Sequence, residues 1–483
     1  MKCPVYKKCS GCQLHNLSYE EQLEFKQNTA QRLLSKFGKV EEIKGMYYPY
    51  NYRNKAQARF ITARNGKIIS GIYQSTTNGI VSTDSCLIED KKSDEIIVCI
   101  RELMKKFKIS TYDESTGTGF LRHVLVRRAF KTGEIMVVLA AFTPILPHKN
   151  DFVHLLLQTH PQIKTIVLNI ADGKENLVLG DREIILHGDG YIEDILCGHR
   201  FRISSKSFYQ INPQQTEVLY KKAIEYANLT GKETVVDAYC GIGTIGLIAA
   251  DKARNVIAVE LNKQAVKDAI VNAKINKAKN IRFYNEDAGE FMVKMAQEGM
   301  KADVLFMDPP RAGASVEFLK SALKLSASRI VYISCNPQTQ ARDLEILVKG
   351  GYKVDMIQPV DMFPHTKHVE TVVLLSHKEV ETTINVKMEF GEGEGKYSLK
   401  KIQAKAEKFK PKEKVTYKMI QEYVENKYGF KVHTAYISEV KRSLGLDMYD
   451  APNAVETLKN PRKHPTPEKV EAIKDALKHF EII

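Results

Sequence analysis

Thr234-Val235-Val236-Asp237-Ala238-Tyr239-Cys240-Gly241-Ile242-Gly243-Thr244-Ile245-Gly246-Leu247 reads, in order, as a buried β-strand, a tight glycine turn and an apolar helix. Glycine has no Cβ, so a turn built on Gly241, Gly243 and Gly246 lets a ligand lie close over the backbone. A second strand, Asn255-Val256-Ile257-Ala258-Val259-Glu260, ends in an acid 17 residues beyond Gly243. That is near the place where a doubly wound sheet holds the ribose hydroxyls of a nucleoside. The chain is therefore expected to contain an α/β, Rossmann-like domain.

The spacing G-x-G-x-x-G leaves a dinucleotide enzyme open. Asp237 sits awkwardly beside a pyrophosphate but suits the amino-acid end of S-adenosylmethionine, and methyl transfer is the better reading. Two more acids continue the pattern, Asp287 after the strand from Ile281 to Tyr284 and Asp308 after the apolar run ending at Met307. In Asp308-Pro309-Pro310-Arg311 the two prolines stiffen the backbone, so that carbonyls and carboxylate can be aimed at a flat ring. Amino-methylating enzymes end the comparable motif in an aromatic residue; here Arg311 stands in that place.

Downstream, Ile330-Val331-Tyr332-Ile333-Ser334-Cys335-Asn336-Pro337 is an apolar strand broken by proline, which lacks the amide a central strand needs. Cys335 thus falls at a carboxyl strand end, the edge where open α/β sheets bind ligands. A buried core thiol is the plain alternative for such a cysteine.

The chain has 483 residues, 43% of them hydrophobic, enough for several cores. No apolar run approaches the roughly 20 residues that span a bilayer, and the amino terminus does not read as a signal peptide. A cytoplasmic protein without a membrane partner is expected. A net charge of +14 favours a polyanion, nucleic acid first.

Of eight cysteines, Cys3, Cys9 and Cys12 crowd the start as C-x5-C-x2-C, and Cys86 stands alone further on. Four thiolates of this kind suit zinc or an iron-sulfur cluster. The three-plus-one arrangement favours [4Fe-4S], because four-cysteine zinc sites usually come as two close pairs. Cys99, Cys197 and Cys240 are isolated, with a structural role as the default.

Elsewhere, Ser18 can cap an amphipathic helix reaching Phe37, with Glu21 three residues on. Asn65-Gly66 suits a hairpin turn, and strand-like runs cover Val124 to Arg127, Ile135 to Ala141 and Ile163 to Ile170. The arginines and aromatics near Tyr52-Arg53 face either RNA or solvent.

Taken together, these stretches resemble the bacterial RNA (uracil-5-)-methyltransferases, most closely the iron-sulfur branch that modifies 23S ribosomal RNA. The matching residues are Cys3, Cys9, Cys12 and Cys86; Phe208-Tyr209-Gln210-Ile211-Asn212-Pro213; Asp237 to Gly243; Asp308 to Arg311; Ser334 to Pro337; and His368-Val369-Glu370-Thr371. They span about residues 1 to 378. The resemblance implies that Gln210, Tyr239, Glu260, Asp287 and Asp308 contact S-adenosylmethionine, that Cys335 is the nucleophile and that Glu370 accepts a proton. It also implies that Cys3, Cys9, Cys12 and Cys86 hold a [4Fe-4S] cluster. Many relatives begin with a TRAM domain; with the cysteine cluster starting at residue 3, none is expected here. Radical methyl transfer, which usually uses C-x3-C-x2-C, is disfavoured by the cysteine spacing.

The expected organisation is an iron-sulfur region over 1–95, a central α+β domain over 96–205 and the methyltransferase domain over 206–378. A basic linker over 379–415 and a small helical module over 416–483 follow. Gly391-Glu392-Gly393-Glu394-Gly395 is linker-like, and nine lysines face two glutamates from Lys396 to Lys418. Helices are expected at Thr416 to Lys427, at Thr434 to Leu444 and from Thr466-Pro467 to Phe480. The expected activity is methylation of uridine C5 in RNA, with 23S rRNA as substrate and a monomeric enzyme. A tRNA uracil-C5 methyltransferase and a non-catalytic RNA-binding or ribosome assembly factor are the alternatives.

Overall fold

The computed structural model describes residues 3–74, 77, 79–171, 178–377, 416–446, 464–480 and 482. Two units are distinguished, 1–381 and 382–483.

The first unit opens with α1 (Tyr19–Leu34), whose start carries the expected capping box. The Ser18 side chain accepts from the Glu21 amide, and the Glu21 carboxylate accepts from the Ser18 amide. Next come β1 (Lys55–Thr62), β2 (Ile68–Tyr73), β3 (Ile80–Ser82) and α2 (Lys91–Lys106). They are followed by β4 (Leu121–Arg128), β5 (Ile135–Ala141), α3 (Lys149–Thr159), β6 (Ile163–Ile170) and β7 (Arg182–His187). The seven strands form one sheet in the order β3-β2-β1-β4-β5-β6-β7. Asn65-Gly66 turns the β1–β2 hairpin, with Gly66 at φ +75. Ile96, Ile100 and Met104 of α2 and Phe152 and Leu156 of α3 pack on this sheet.

The boundary expected at 95/96 is corrected by this arrangement. It falls inside α2, and strands from both sides of it share one sheet, β1 pairing with β4 from Lys55↔Arg127 to Arg59↔His123. The sequence spacing hid this because β1 and β4 are joined by a long connection that contains a helix of its own.

A hairpin of β8 (Tyr191–Leu196) and β9 (His199–Ser204) leads to α4 (Pro213–Ala227), which Asn212 caps with proline at its first turn. The second sheet is built from β10 (Thr234–Ala238), β11 (Asn255–Val259), β12 (Ile281–Tyr284), β13 (Val304–Met307), β14 (Arg329–Ser334), β15 (Tyr352–Val360) and β16 (Glu370–His377). Its order is β12-β11-β10-β13-β14-β16-β15, with β16 antiparallel to both neighbours and the other pairs parallel. Helices α5 (Thr244–Ala250), α6 (Lys263–Ile275), α7 (Ala288–Gln297), α8 (Val316–Leu325) and α9 (Pro337–Lys349) connect the strands. The chain reverses direction of growth between β10 and β13, and such a switch point leaves a crevice at the carboxyl strand ends.

Two features tie the amino-terminal residues to this second sheet. Leu34 of α1 is buried with Tyr352, Val354 and Ile357 of β15. A continuous core also runs from Leu125, Met136 and Val138 through Phe201 and Tyr220 to Val235 and Val304.

In the second unit the helices fall where the sequence places them: α10 (Tyr417–Tyr428), α11 (Thr434–Ser443) and α12 (Pro467–His479). Ile420, Val424, Ile437, Val440, Ile473 and Leu477 form their shared core. The expected linker over 379–415 lies outside the described residues.

Candidate active site

Cys335 lies between the last residue of β14 and Asn336, the cap of α9. Proline at the first helical position ends the strand and starts the helix at once, so the thiol is left at the sheet edge. β14 and β16 pair from Arg329↔Ser376 to Ser334↔Thr371. The next step of that ladder sets Glu370 beside Cys335, although 35 residues separate them. The Thr371 hydroxyl donates to the Gln340 side chain and reaches the Ser334 carbonyl, locking the strand end to α9.

The loop after β13 reaches the same place. Arg311 interacts with both Cys335 and Glu370, and Asp308 bears on both as well. The Arg311 carbonyl accepts from Asn336 Nδ2 at 3.1 Å and from the Thr339 hydroxyl at 3.2 Å, so the loop is pinned to the start of α9. Gly313, at φ +81, allows the tight return. A Cβ there would meet Arg342 Nη2 at 2.5 Å and Asp343 Oδ2 at 2.7 Å. Asp343 is itself buried, accepting from the Tyr332 hydroxyl and the Ala314 amide.

Burial dominates the electrostatics. It pushes the Cys335 thiol up to about 11, helped by Glu370 and Asp308 and opposed by Arg311. Glu370, only 4% exposed, is raised well above the usual carboxylate range by burial and then by Asp308, again against Arg311. Arg311 is therefore the cation that offsets this group of acids. Its position in the motif was visible in the sequence, but nothing there signalled which side chains it would meet.

The remaining acids line the crevice. Asp237 is 1% exposed; its Oδ2 accepts from the Gly246 amide at 2.8 Å and its Oδ1 has no partner. Burial raises it to about 7, and Asp308 likewise. A Cβ on Gly246 would lie 2.9 Å from Asp237 Oδ2, so glycine is needed for that contact. Glu260 accepts from the Gly241 amide at 2.9 Å and the Asn262 amide at 2.7 Å, bracing the glycine turn. Tyr239, in a left-handed conformation at φ 73, packs against Phe318 with ring centroids 5.4 Å apart. A strained non-glycine residue at such a turn is typical of a ligand site.

Gln210 and Thr244 both bond the buried Tyr220 hydroxyl, which also feels Asp308 and Asp237. Gln210, Glu260 and Asp308 thus join Asp237 at the crevice. Asp287 stands further out as the cap of α7, accepting from the Gly289 and Glu290 amides, and its charge is felt by Tyr239. An orphaned buried carboxylate oxygen beside an open glycine turn fits a cationic amino-acid group, such as the one S-adenosylmethionine carries.

Cys3, Cys9, Cys12 and Cys86 line one cavity of about 70 Å³ with His15, Arg53 and His365. Cys99, Cys197 and Cys240 stand elsewhere in the fold, in α2, in the β8–β9 turn and after β10. Burial raises Cys12 to about 11 and Cys86 to about 12. Among the described residues no three His, Cys, Asp or Glu side chains are close enough to hold a metal ion. Four thiols around one cavity are the donor type that iron-sulfur clusters use, with Arg53 and the acid Glu89 both in the lining.

A seven-stranded sheet with one reversed strand, carrying acids and a glycine turn at its carboxyl edge, defines an S-adenosylmethionine-dependent methyltransferase. Comparison with known proteins makes this specific. The tRNA (uracil-5-)-methyltransferase family model matches residues 18–378, and the chain belongs to that family. It is an RNA (uracil-5-)-methyltransferase. Among its relatives are an uncharacterized RNA methyltransferase of Clostridium acetobutylicum, 46% identical over 77% of this chain and 82% of the relative, and one of Halalkalibacterium halodurans, 44% identical over 78% and 83%. The crystal structure of Pyrococcus abyssi tRNA (uracil-54, C5)-methyltransferase in complex with S-adenosyl-L-homocysteine superposes with a TM-score of 0.64 at 30% identity, covering 76% of this chain and 86% of that one. No helix among the described residues is long and apolar enough to cross a membrane.

Proposed function

We propose that the protein methylates C5 of a uridine in 23S rRNA through a covalent bond between Cys335 and C6 of the base. The observation that carries this reading is the meeting of Cys335 and Glu370 across the β14–β16 ladder, with Arg311 and Asp308 against both.

C5 of uracil is a poor nucleophile. Cys335 loses its proton to solvent, and its sulfur forms a bond to C6 while the C5–C6 π electrons move toward O4, giving an enolate. S-adenosylmethionine supplies the electrophilic methyl group. C5 takes that methyl as the methyl–sulfur bond breaks, leaving C5 with both a methyl and a proton. The Glu370 carboxylate accepts the C5 proton, the C5–C6 double bond re-forms and the thiolate departs. Gln210, Tyr239, Glu260, Asp287 and Asp308 hold the methyl donor, and the unpartnered Asp237 oxygen faces its amino-acid end.

Cys3, Cys9, Cys12 and Cys86 would hold a [4Fe-4S] cluster. Bound there, it supplies a covalent tie between the amino terminus and the loop before α2; the methyl-transfer route consumes no electrons. The three-plus-one cysteines and their common cavity support the 23S branch. A tRNA substrate is the second reading, favoured by the likeness to the Pyrococcus tRNA enzyme. Mapping 5-methyluridine in both 23S rRNA and tRNA from a strain lacking the gene decides between them. Loss of an rRNA site supports the proposal, and loss confined to tRNA overturns it.

A further inference from the structure

Residues 361–369 join β15 to β16 and end at Glu370, which pairs across the ladder with Val360. This connection is irregular backbone in a buried place, and buried polar groups there need partners. The amino-terminal segment supplies many of them. Lys26 of α1 donates to Asp361 Oδ1 at 2.5 Å and to the Phe363 carbonyl at 3.0 Å. The Tyr19 hydroxyl donates to Asp361 Oδ2 at 2.8 Å and accepts from the Met46 amide. The Tyr52 hydroxyl donates to the Pro364 carbonyl at 3.0 Å. Gln22 accepts from the His365 amide at 2.8 Å, and the His365 carbonyl accepts from the Leu14 amide at 2.9 Å.

The Lys26–Asp361 pair is the unusual member, because both side chains are 0% exposed. Burying two charges is costly, and an apolar pair of similar size often serves stability as well or better. Stability alone is therefore a weak reason for this pair. What it does provide is a fixed, directional tie on the residue that follows Val360, the cross-strand partner of Glu370. Proton removal demands such placement: an acceptor must stand within hydrogen-bond reach of the proton, and a shift of about 1 Å can cost about a hundredfold in rate.

We propose that Lys26, acting through Asp361, is a positioning residue for Glu370, so that α1 sets the step that releases the enzyme from its methylated RNA. The proposal rests on the role given to Glu370 above. It predicts a selective defect, in C5 proton removal and thiolate departure, with adduct formation and methyl transfer spared.

The test is single turnover of the full-length protein with S-adenosylmethionine and substrate RNA, scoring methylated protein–RNA adduct against released methylated RNA. Lys26→Met is expected to slow release about a hundredfold and to accumulate adduct as Glu370→Gln does, while Lys26→Arg restores much of the release. If the lone Asp361 charge prevents Lys26→Met from folding, Lys26→Met/Asp361→Leu removes both charges and carries the same expectation. Accumulation in Glu370→Gln with normal release in the Lys26 variants overturns the positioning role alone. Equal slowing of adduct formation and release in the Lys26 variants also overturns it, since a general structural defect would do that. Absence of accumulation in Glu370→Gln overturns the reading of Glu370 itself, and the positioning role with it.

Discussion

Replacing Arg311 by glutamine should make Cys335 harder to ionise. The thiol already stands near 11, held up by burial, Glu370 and Asp308, and Arg311 is the group that pulls it down. An opposite charge at close range shifts a pKa by about 1–3 units. Cys335 is half-buried, which favours the lower end, so Arg311→Gln should raise it by about one unit. Below both values the thiolate fraction falls about tenfold for each unit of rise. Alkylation by iodoacetamide, followed by mass spectrometry on the Cys335 peptide between pH 7 and 9, should therefore be about tenfold slower in Arg311→Gln at every pH. In both proteins the rate should climb with pH across that range, because the raised thiol is still mostly protonated there. Equal alkylation rates in wild type and Arg311→Gln would refute the assignment of Arg311 as the cation that governs Cys335.

Anaerobically purified protein should contain iron and sulfide in the ratio of one [4Fe-4S] cluster. Cys86→Ser should lose both and Cys99→Ser should keep both, whereas stoichiometric zinc without iron would contradict the cluster. Gly313→Ala should destabilise the protein by about 1–3 kcal/mol, measured by denaturant unfolding, because its Cβ has no room beside Arg342 and Asp343. A chain ending at Glu381 should retain turnover on a short RNA and bind it with a shallower salt dependence than the full chain, as expected if the lysine-rich segment contacts phosphates. An unchanged slope would show those lysines to be a solvated connector.

Features set by local chemistry were legible from the sequence. The strand, glycine turn and helix from Thr234 to Leu247, the capping box at Ser18 and Glu21, and the Asn336-Pro337 break after Cys335 each follow from neighbouring residues. The approach of Glu370 to Cys335 was open to inference because a helix and a return strand fit in the intervening length. Relations set by distant packing were not legible. Nothing in the pattern of α1 tells that it belongs with β15, or that Lys26 finds its partner at Asp361. Likewise, the joining of β1 to β4 across α2 depends on pairing that neither strand specifies alone, so the 95/96 division failed. The partners of Arg311 were hidden for the same reason: the fold, not the motif, brings Cys335 and Glu370 to it.

The covalent route is tested most directly with target RNA carrying 5-fluorouridine, incubated with the enzyme and S-adenosylmethionine. Fluorine cannot leave C5 as a cation, so proton removal is replaced by a step that cannot occur and the adduct should persist. Peptide mapping by mass spectrometry should find one methylated fluorouridine nucleotide attached to Cys335, and none in Cys335→Ala. A bond to another residue, or a stable adduct formed by Cys335→Ala, would contradict the account.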